Sequence, residues 1–411
     1  MKTLTIMKRL FLLIVLLLPV ASSAQNNEAL ISERDSIPSI LERILISQNA
    51  SNEKLNNLRH IKSHINLEFA SSANAYFTEN SFDEFSFKIN RVRLEILVRL
   101  NEHLSYHFRQ SFNKYSNPHT VDNLSSSIEY ANLTWHQSDR FELVAGKQFL
   151  ALAGYEGYLN ALKVREFCDF NNNVDIYQTG LMGVIKFTPN QHLMLQIANN
   201  RSGKDNDVFL YGLPDGVEAS KVPLLGTVNW NGWFADGAVH LMYSASAGQL
   251  AKGKNIYYLM CGNIYEKGPV IAYLDVLYAR GGLDAQQRIT TLQGQGRGML
   301  PATAQNTQYL TFIADFDYQF HPKWNAYVKG VYETASVYES NGIFNKGRYL
   351  TSWNAQACIE WFPFTEDKGL KIFAHYLYKG HKLSANADAL MASMPDTQRA
   401  SIGLVYVIPV L

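Results

Sequence analysis

From about Lys62 to the end of the chain, apolar and polar side chains alternate one for one, a period of two that strands satisfy and helices do not. The clearest run sets Val92, Leu94, Ile96, Val98 and Leu100 on one face against Arg91, Arg93, Glu95 and Arg99 on the other. Just upstream, Phe85, Phe87 and Ile89 fall one residue out of phase, which predicts a β-bulge near Asn90 and Arg91. The next run sets Leu104, Tyr106, Phe108 and Phe112 against His103, Ser105, His107, Arg109, Ser111 and Asn113. The same alternation recurs across 309–319 and 349–361.

Read in this way, 62–411 holds sixteen strands, the first over 62–76 and the last over 397–411. Short turns (101–102, 138–139, 189–190, 321–322) take turns with long segments (114–123, 150–174, 202–221, 282–304, 337–346, 381–396). Strands long enough to cross a bilayer, with turns on one side and loops on the other, predict an all-β fold: a transmembrane antiparallel up-and-down β-barrel of about sixteen strands. Charged residues stand in mid-strand on the polar face, where a water-filled lumen tolerates them and a packed core does not. The alternative is a secreted or surface-exposed β-rich protein that binds glycans or other solutes through Tyr and Trp on its long loops. No stretch outside the strands is long enough for the plug of a gated transporter.

Composition fits this reading. Charged residues make up 18% of the 411, below the roughly 25% of an average soluble domain. Basic and acidic residues nearly cancel, 37 against 36, so no nucleic-acid partner is implied. Residues 1–24 read as a secretory signal, with Lys2, Lys8 and Arg9, then the apolar run Leu10 to Val20, then Ser22-Ser23-Ala24. Its removal takes away three basic residues and leaves 34 against 36. Residues 25–61 carry heptad-like spacing at Ile37, Leu41, Ile44, Gln48, Ser51, Leu55 and Leu58, which suits a short periplasmic coiled coil or an unpartnered helix. Cys168, Cys261 and Cys358 are too scattered for a disulfide framework or a zinc cluster.

No nucleophile elbow, metalloprotease or P-loop motif is present, so neither catalysis nor a cofactor is expected. His107 and Ser111 read as polar lumen residues rather than a hydrolytic pair. Arg91, Arg93 and Arg99, with Arg109 on the neighbouring strand and Lys147 beyond, form a basic row that would select anions in a narrow aqueous space. Glu95, Glu142, Asp275, Asp315, Asp317, Glu333 and Glu360 offer the opposite outcome, a lumen neutralised by pairing. The long segment 150–174 is the constriction candidate, through Tyr155, Glu156, Lys163 and Arg165.

The stretch Phe87-Lys88-Ile89-Asn90-Arg91-Val92-Arg93-Leu94, the later Gly146-Lys147-Gln148-Phe149 and Gly154-Tyr155-Glu156-Gly157, and the tail Ile359-Glu360-Trp361-Phe362-Pro363-Phe364 together resemble the phosphate-selective porin O/P family, in its Bacteroidota-type members. The resemblance covers about 62–411. It implies a sixteen-stranded barrel in the outer membrane of a Gram-negative bacterium, bounded by lipid, usually a homotrimer, passing anions or other small hydrophilic solutes. That family's ladder of Lys and Arg is not matched, and the chain ends in Leu411 where many barrels end in Phe.

Overall fold

The computed structural model describes residues 62–114, 120–159, 163–201, 203, 208–293, 301–364 and 369–410. The expected leader over 1–24 and the helical segment over 25–61 lie outside the described residues. Sixteen antiparallel strands close on themselves, each bonded to its neighbours in sequence and the first to the last. They are β1 (Lys62–Thr78), β2 (Ser81–Arg99), β3 (Leu104–Ser111), β4 (Ile128–Ser138), β5 (Phe141–Phe149), β6 (Tyr177–Thr188), β7 (Gln191–Asn199) and β8 (Leu224–Phe234). The second half is β9 (Val239–Ala251), β10 (Lys254–Lys267), β11 (Val270–Leu283), β12 (Gln305–His321), β13 (Trp324–Val337), β14 (Gly347–Trp361), β15 (Leu370–Leu383) and β16 (Thr397–Pro409).

The turns at one end are short, as at 139–140, 189–190, 268–269 and 322–323, and the start of β1 and the end of β16 lie there too. The connections of nine residues or more all lie at the other end, which also holds two tight hairpins. One of these turns on Glu79 and Asn80, both in the left-handed region (φ 49° and 68°), as a two-residue hairpin twisted like its strands demands. The bulge expected near Asn90 is present: Ala70 pairs with Arg91 while Ser71 pairs with Ile89, leaving Asn90 as the extra residue. It resets the phase so that Phe85, Phe87 and Ile89 stay on the outer, exposed face with Val92 and Leu94 further along.

The outer surface is apolar around the ring, with Leu133, Leu181, Ile197, Val228, Leu259, Val328, Tyr376 and Ile402 all exposed. No water-soluble sheet protein would leave this face uncovered. The interior differs from the uniformly polar lumen that the sequence suggested. On β10, β11 and β12 the inward row includes Ile256, Tyr258, Met260, Ile264, Tyr273, Leu277, Tyr309 and Ile313, all buried. These pack with Leu150, Leu152, Tyr155, Tyr158, Phe170, Ile289 and Leu292 from the long segments in one apolar cluster. The loops fold into the barrel and bring their own apolar residues, so water is displaced from that half of the interior.

Candidate functional site

Two groups of charged side chains face the interior. The first spans β1 to β4. Arg93, only 2% exposed, pairs with Glu68 and, at 3.4 Å, with Glu129. Arg109 meets Glu129 through Nε at 2.7 Å and Glu95 through Nη1 at 3.8 Å. Lys114 Nζ lies 2.5 Å from Glu129 Oε1, and Ser111 Oγ donates to the same oxygen at 2.9 Å. Glu129 therefore gathers Arg93, Arg109 and Lys114. The cause is a β-bulge: Arg109 pairs with Tyr130 and Gln110 with Ile128, so Glu129 is the extra residue and is buried together with Tyr130. Arg91 faces this group, but among the described residues no carboxylate oxygen lies within 4.0 Å of it.

The expected basic row is thus only partly a row. Arg93 and Arg109 belong to the cluster; Arg99 turns away at the short-turn end and donates to the carbonyl of Glu102 at 2.8 Å. Lys147 pairs with Asp122 at 3.1 Å. It follows Gly146, whose φ of 120° breaks the alternation of β5, so that Lys147, Gln148 and Phe149 are all buried in succession. A Cβ on Gly146 would come within 2.3 Å of the Ala131 carbonyl oxygen, so only glycine fits.

The second group is built on the segment between β5 and β6, which contains α1 (Tyr155–Tyr158) and α2 (Asp169–Asn172). Its first limb runs past β7, β8 and β9: the Ala151 amide donates to Gln196 at 2.7 Å, Asn229 donates to the Ala151 carbonyl at 2.8 Å, and the Ala153 amide donates to Ser244 at 2.8 Å. The amides of Tyr155 and Glu156 then donate to the two oxygens of Asp275 on β11, at 2.9 and 2.8 Å. Glu156, fully buried, receives Lys329 of β13 at 2.7 Å. On the return limb Arg165 bonds Glu360 of β14 at 2.6 Å, and Glu166 meets Lys379 of β15 at 2.8 Å and Arg399 of β16 at 3.1 Å. The amides of Asp169 and Phe170 donate to Glu333 of β13, each at 3.0 Å. A single segment is bonded to inward side chains from β7 round to β16, so it lies inside the ring.

Of the constriction candidates, Tyr155, Glu156 and Arg165 sit in this network, and Tyr155 meets Tyr273 edge-on with ring centres 5.2 Å apart. Lys163 opens the return limb, half-buried. Glu68 and Glu129 were missed by sequence reasoning. Glu68 had a signal, since it continues the polar face of β1 opposite Arg93; Glu129 had none, because the bulge hides its phase. Asp275, one of the acids that the neutralised-lumen alternative would pair, binds two amides.

His107 and Ser111 are not a pair: His107 bonds Glu95 at 2.9 Å and Ser111 bonds Glu129. A different chain, Ser105 to His136 at 2.8 Å and His136 to Glu142 at 3.1 Å, has the connectivity of a nucleophile, base and acid. Lys186 occupies the same Glu142 oxygen at 2.7 Å, and these residues lie in ladder-paired strands whose amides are engaged with their neighbours. Among the described residues no group of His, Cys, Asp and Glu could hold a metal ion.

The fold is shared with solved outer-membrane proteins. The outer-membrane channel DcaP of Acinetobacter baumannii is 11% identical with a TM-score of 0.59, covering 86% of this chain and 99% of that one. OmpF of Salmonella typhi, solved with daunomycin, is 11% identical with a TM-score of 0.51, covering 85% and 97%. OmpT of Vibrio cholerae, as a loop-deletion mutant, is also 11% identical with a TM-score of 0.50, covering 85% and 99%. No curated protein matches the sequence. The family model for phosphate-selective porin O and P matches residues 64–408, nearly the whole of the barrel just described. The chain therefore belongs to the phosphate-selective porin O and P family, and its closed ring of strands is an outer-membrane pore for small hydrophilic solutes.

Proposed function

We propose that the β5–β6 segment sets the width of this pore, and that the path it leaves along β1 to β4 favours anions weakly over cations. The observation that supports this reading is the bonding of one segment from β7 to β16, which occupies that side, whereas on the β2 side Arg91 is only half-buried. Four cations (Arg91, Arg93, Arg109, Lys114) there face three carboxylates (Glu68, Glu95, Glu129), an excess of one positive charge in a space where low-dielectric walls limit screening. Phosphate itself is not singled out, since the family's ladder of cations is replaced by paired ones.

Purified protein in planar bilayers under a KCl gradient tests both parts. The expected result is stepwise ohmic conductance with a small reversal potential of the sign for chloride, and Arg91→Ser moves that potential toward zero. A cation-signed potential overturns the anion preference; no steps from folded, heat-modifiable protein overturns the open pore. We further propose that the pore is a homotrimer in lipid, as membership of the family suggests. The ridge of Phe85 and Phe87 on β2, the latter 80% exposed, is a wall for a neighbouring copy. Native mass in detergent checks this.

A further inference from the structure

The two limbs of the constriction segment are joined where they leave the barrel wall, by the Leu150 amide on the Ile176 carbonyl at 2.8 Å, and again further along, at Lys329. Lys329 Nζ donates to Glu156 Oε1 at 2.7 Å on the first limb and to the Glu166 carbonyl on the return limb. The other oxygen of Glu156 accepts the Cys168 amide at 3.0 Å and the Asn171 side-chain amide at 2.7 Å, both on the return limb. Lys329 and Glu156 are almost wholly buried, at 2% and 0% side-chain exposure, and Glu156 is the sole carboxylate within 4.0 Å of the ammonium among the described residues. The other wall contacts each hold a single limb: Asp275 the first, Glu333, Glu360, Lys379 and Arg399 the return.

We infer that Lys329 is a positioning residue for conduction: by clamping both limbs to β13 through Glu156 and the Glu166 carbonyl, it fixes how far the segment stands into the lumen. The inference rests on the proposed role of the segment as the constriction. Loss of the ammonium leaves a buried carboxylate without its cation, and that carboxylate regains solvation only if the limbs part. Cys168 reports the parting. It is fully buried on the return limb, its amide on Glu156, and burial together with the Glu156 and Glu333 carboxylates raises its thiol well above the usual range, so it is inert while the clamp holds.

The test uses full-length protein carrying Cys261→Ser and Cys358→Ser, so that Cys168 is the remaining thiol. Lys329→Met is expected to speed its labelling by a membrane-impermeant maleimide at least about ten-fold and to raise single-channel conductance with added open-channel noise. Glu156→Gln, which removes the same charge contact while keeping the shape, carries the same expectation, and stands alone if Lys329→Met fails to fold. The double variant is expected to do no more than the larger single one, as for groups acting as one unit. Unchanged labelling and conductance in a folded single variant overturns the inference. A further variant with 155–171 replaced by a short Gly/Ser linker separates the two readings. Raised conductance there but not in Lys329→Met sinks the clamp alone, whereas unchanged conductance in the linker variant sinks the constriction itself.

Discussion

On β1 to β4 the inward row carries Glu68, Arg93, Glu95, Arg109 and Glu129, held by ion pairs; on β10 to β12 it carries Tyr258, Met260, Leu277 and Ile313, packed against apolar loop residues. Both rows come from strands with the same period of two. The difference lies in what reaches them. The ionic half keeps its charges because each has a partner across one or two strands, and the apolar half is covered because residues such as Leu150, Tyr158, Phe170, Ile289 and Leu292 of the long connections pack onto it. Alternation therefore reports which side chains share a face, and the loops decide whether that face meets water.

The two halves should break differently. Glu129→Ala leaves Arg93, Arg109 and Lys114 without their shared carboxylate and is expected to cost about 3–5 kcal/mol. It should also shift the reversal potential further toward anions, so urea unfolding in detergent and bilayer recording on one sample check both effects. Leu277→Ala in the packed half should cost about 2–5 kcal/mol through its cavity, with no change in reversal potential. A shift in selectivity from Leu277→Ala would show that the halves are not independent. Ile313→Val, one methylene in the same cluster, should cost about 0.5–1.5 kcal/mol and leave conductance unchanged.

Titration gives the smallest effect near neutrality. Burial would raise the Glu156 carboxyl, but the Lys329 ammonium and the Cys168 amide bring it below its ordinary value of 4.5. A carboxyl depressed in the folded state contributes stability that is complete above its ordinary range and fades as pH falls through the lowered value. Cys168 labelling, corrected for the reagent's own pH dependence, should thus be flat from about pH 7 to about pH 5 and rise only in stronger acid. A rise already at about pH 6 would mean that another group controls the segment.

Most of the wall was legible in the sequence. All sixteen strands fall where the alternation placed them, within a few residues at their ends, and the bulge at Asn90 showed as a slip in phase between Ile89 and Arg91. The long connections lie together at one end, as their alternation with tight turns required. The site was less legible. Arg93 and Arg109 were found, but the bulge at Glu129 left no such slip, because Ile128 and Tyr130 flank it with apolar residues on both sides. The contacts of Tyr155 and Glu156 with Asp275 join positions about 120 residues apart, and no local pattern encodes them. The apolar inward row of β10 gave a misleading signal: Tyr257 and Leu259 on its outer face are apolar too, so neither face declared itself polar.

The ring is shut by pairing β1 with β16, from Asn66 opposite Pro409 to Thr78 opposite Thr397. Closure thus joins the two ends of the barrel's sequence, the most entropically expensive loop the chain can form. Until the 13 residues of β16 are made, β1 lacks one partner and β15 another, and both present open edges. A chain so arranged cannot acquire its barrel during synthesis in stages. It must be kept from pairing with other chains until it is complete, and its last strand is the step on which productive assembly and aggregation diverge.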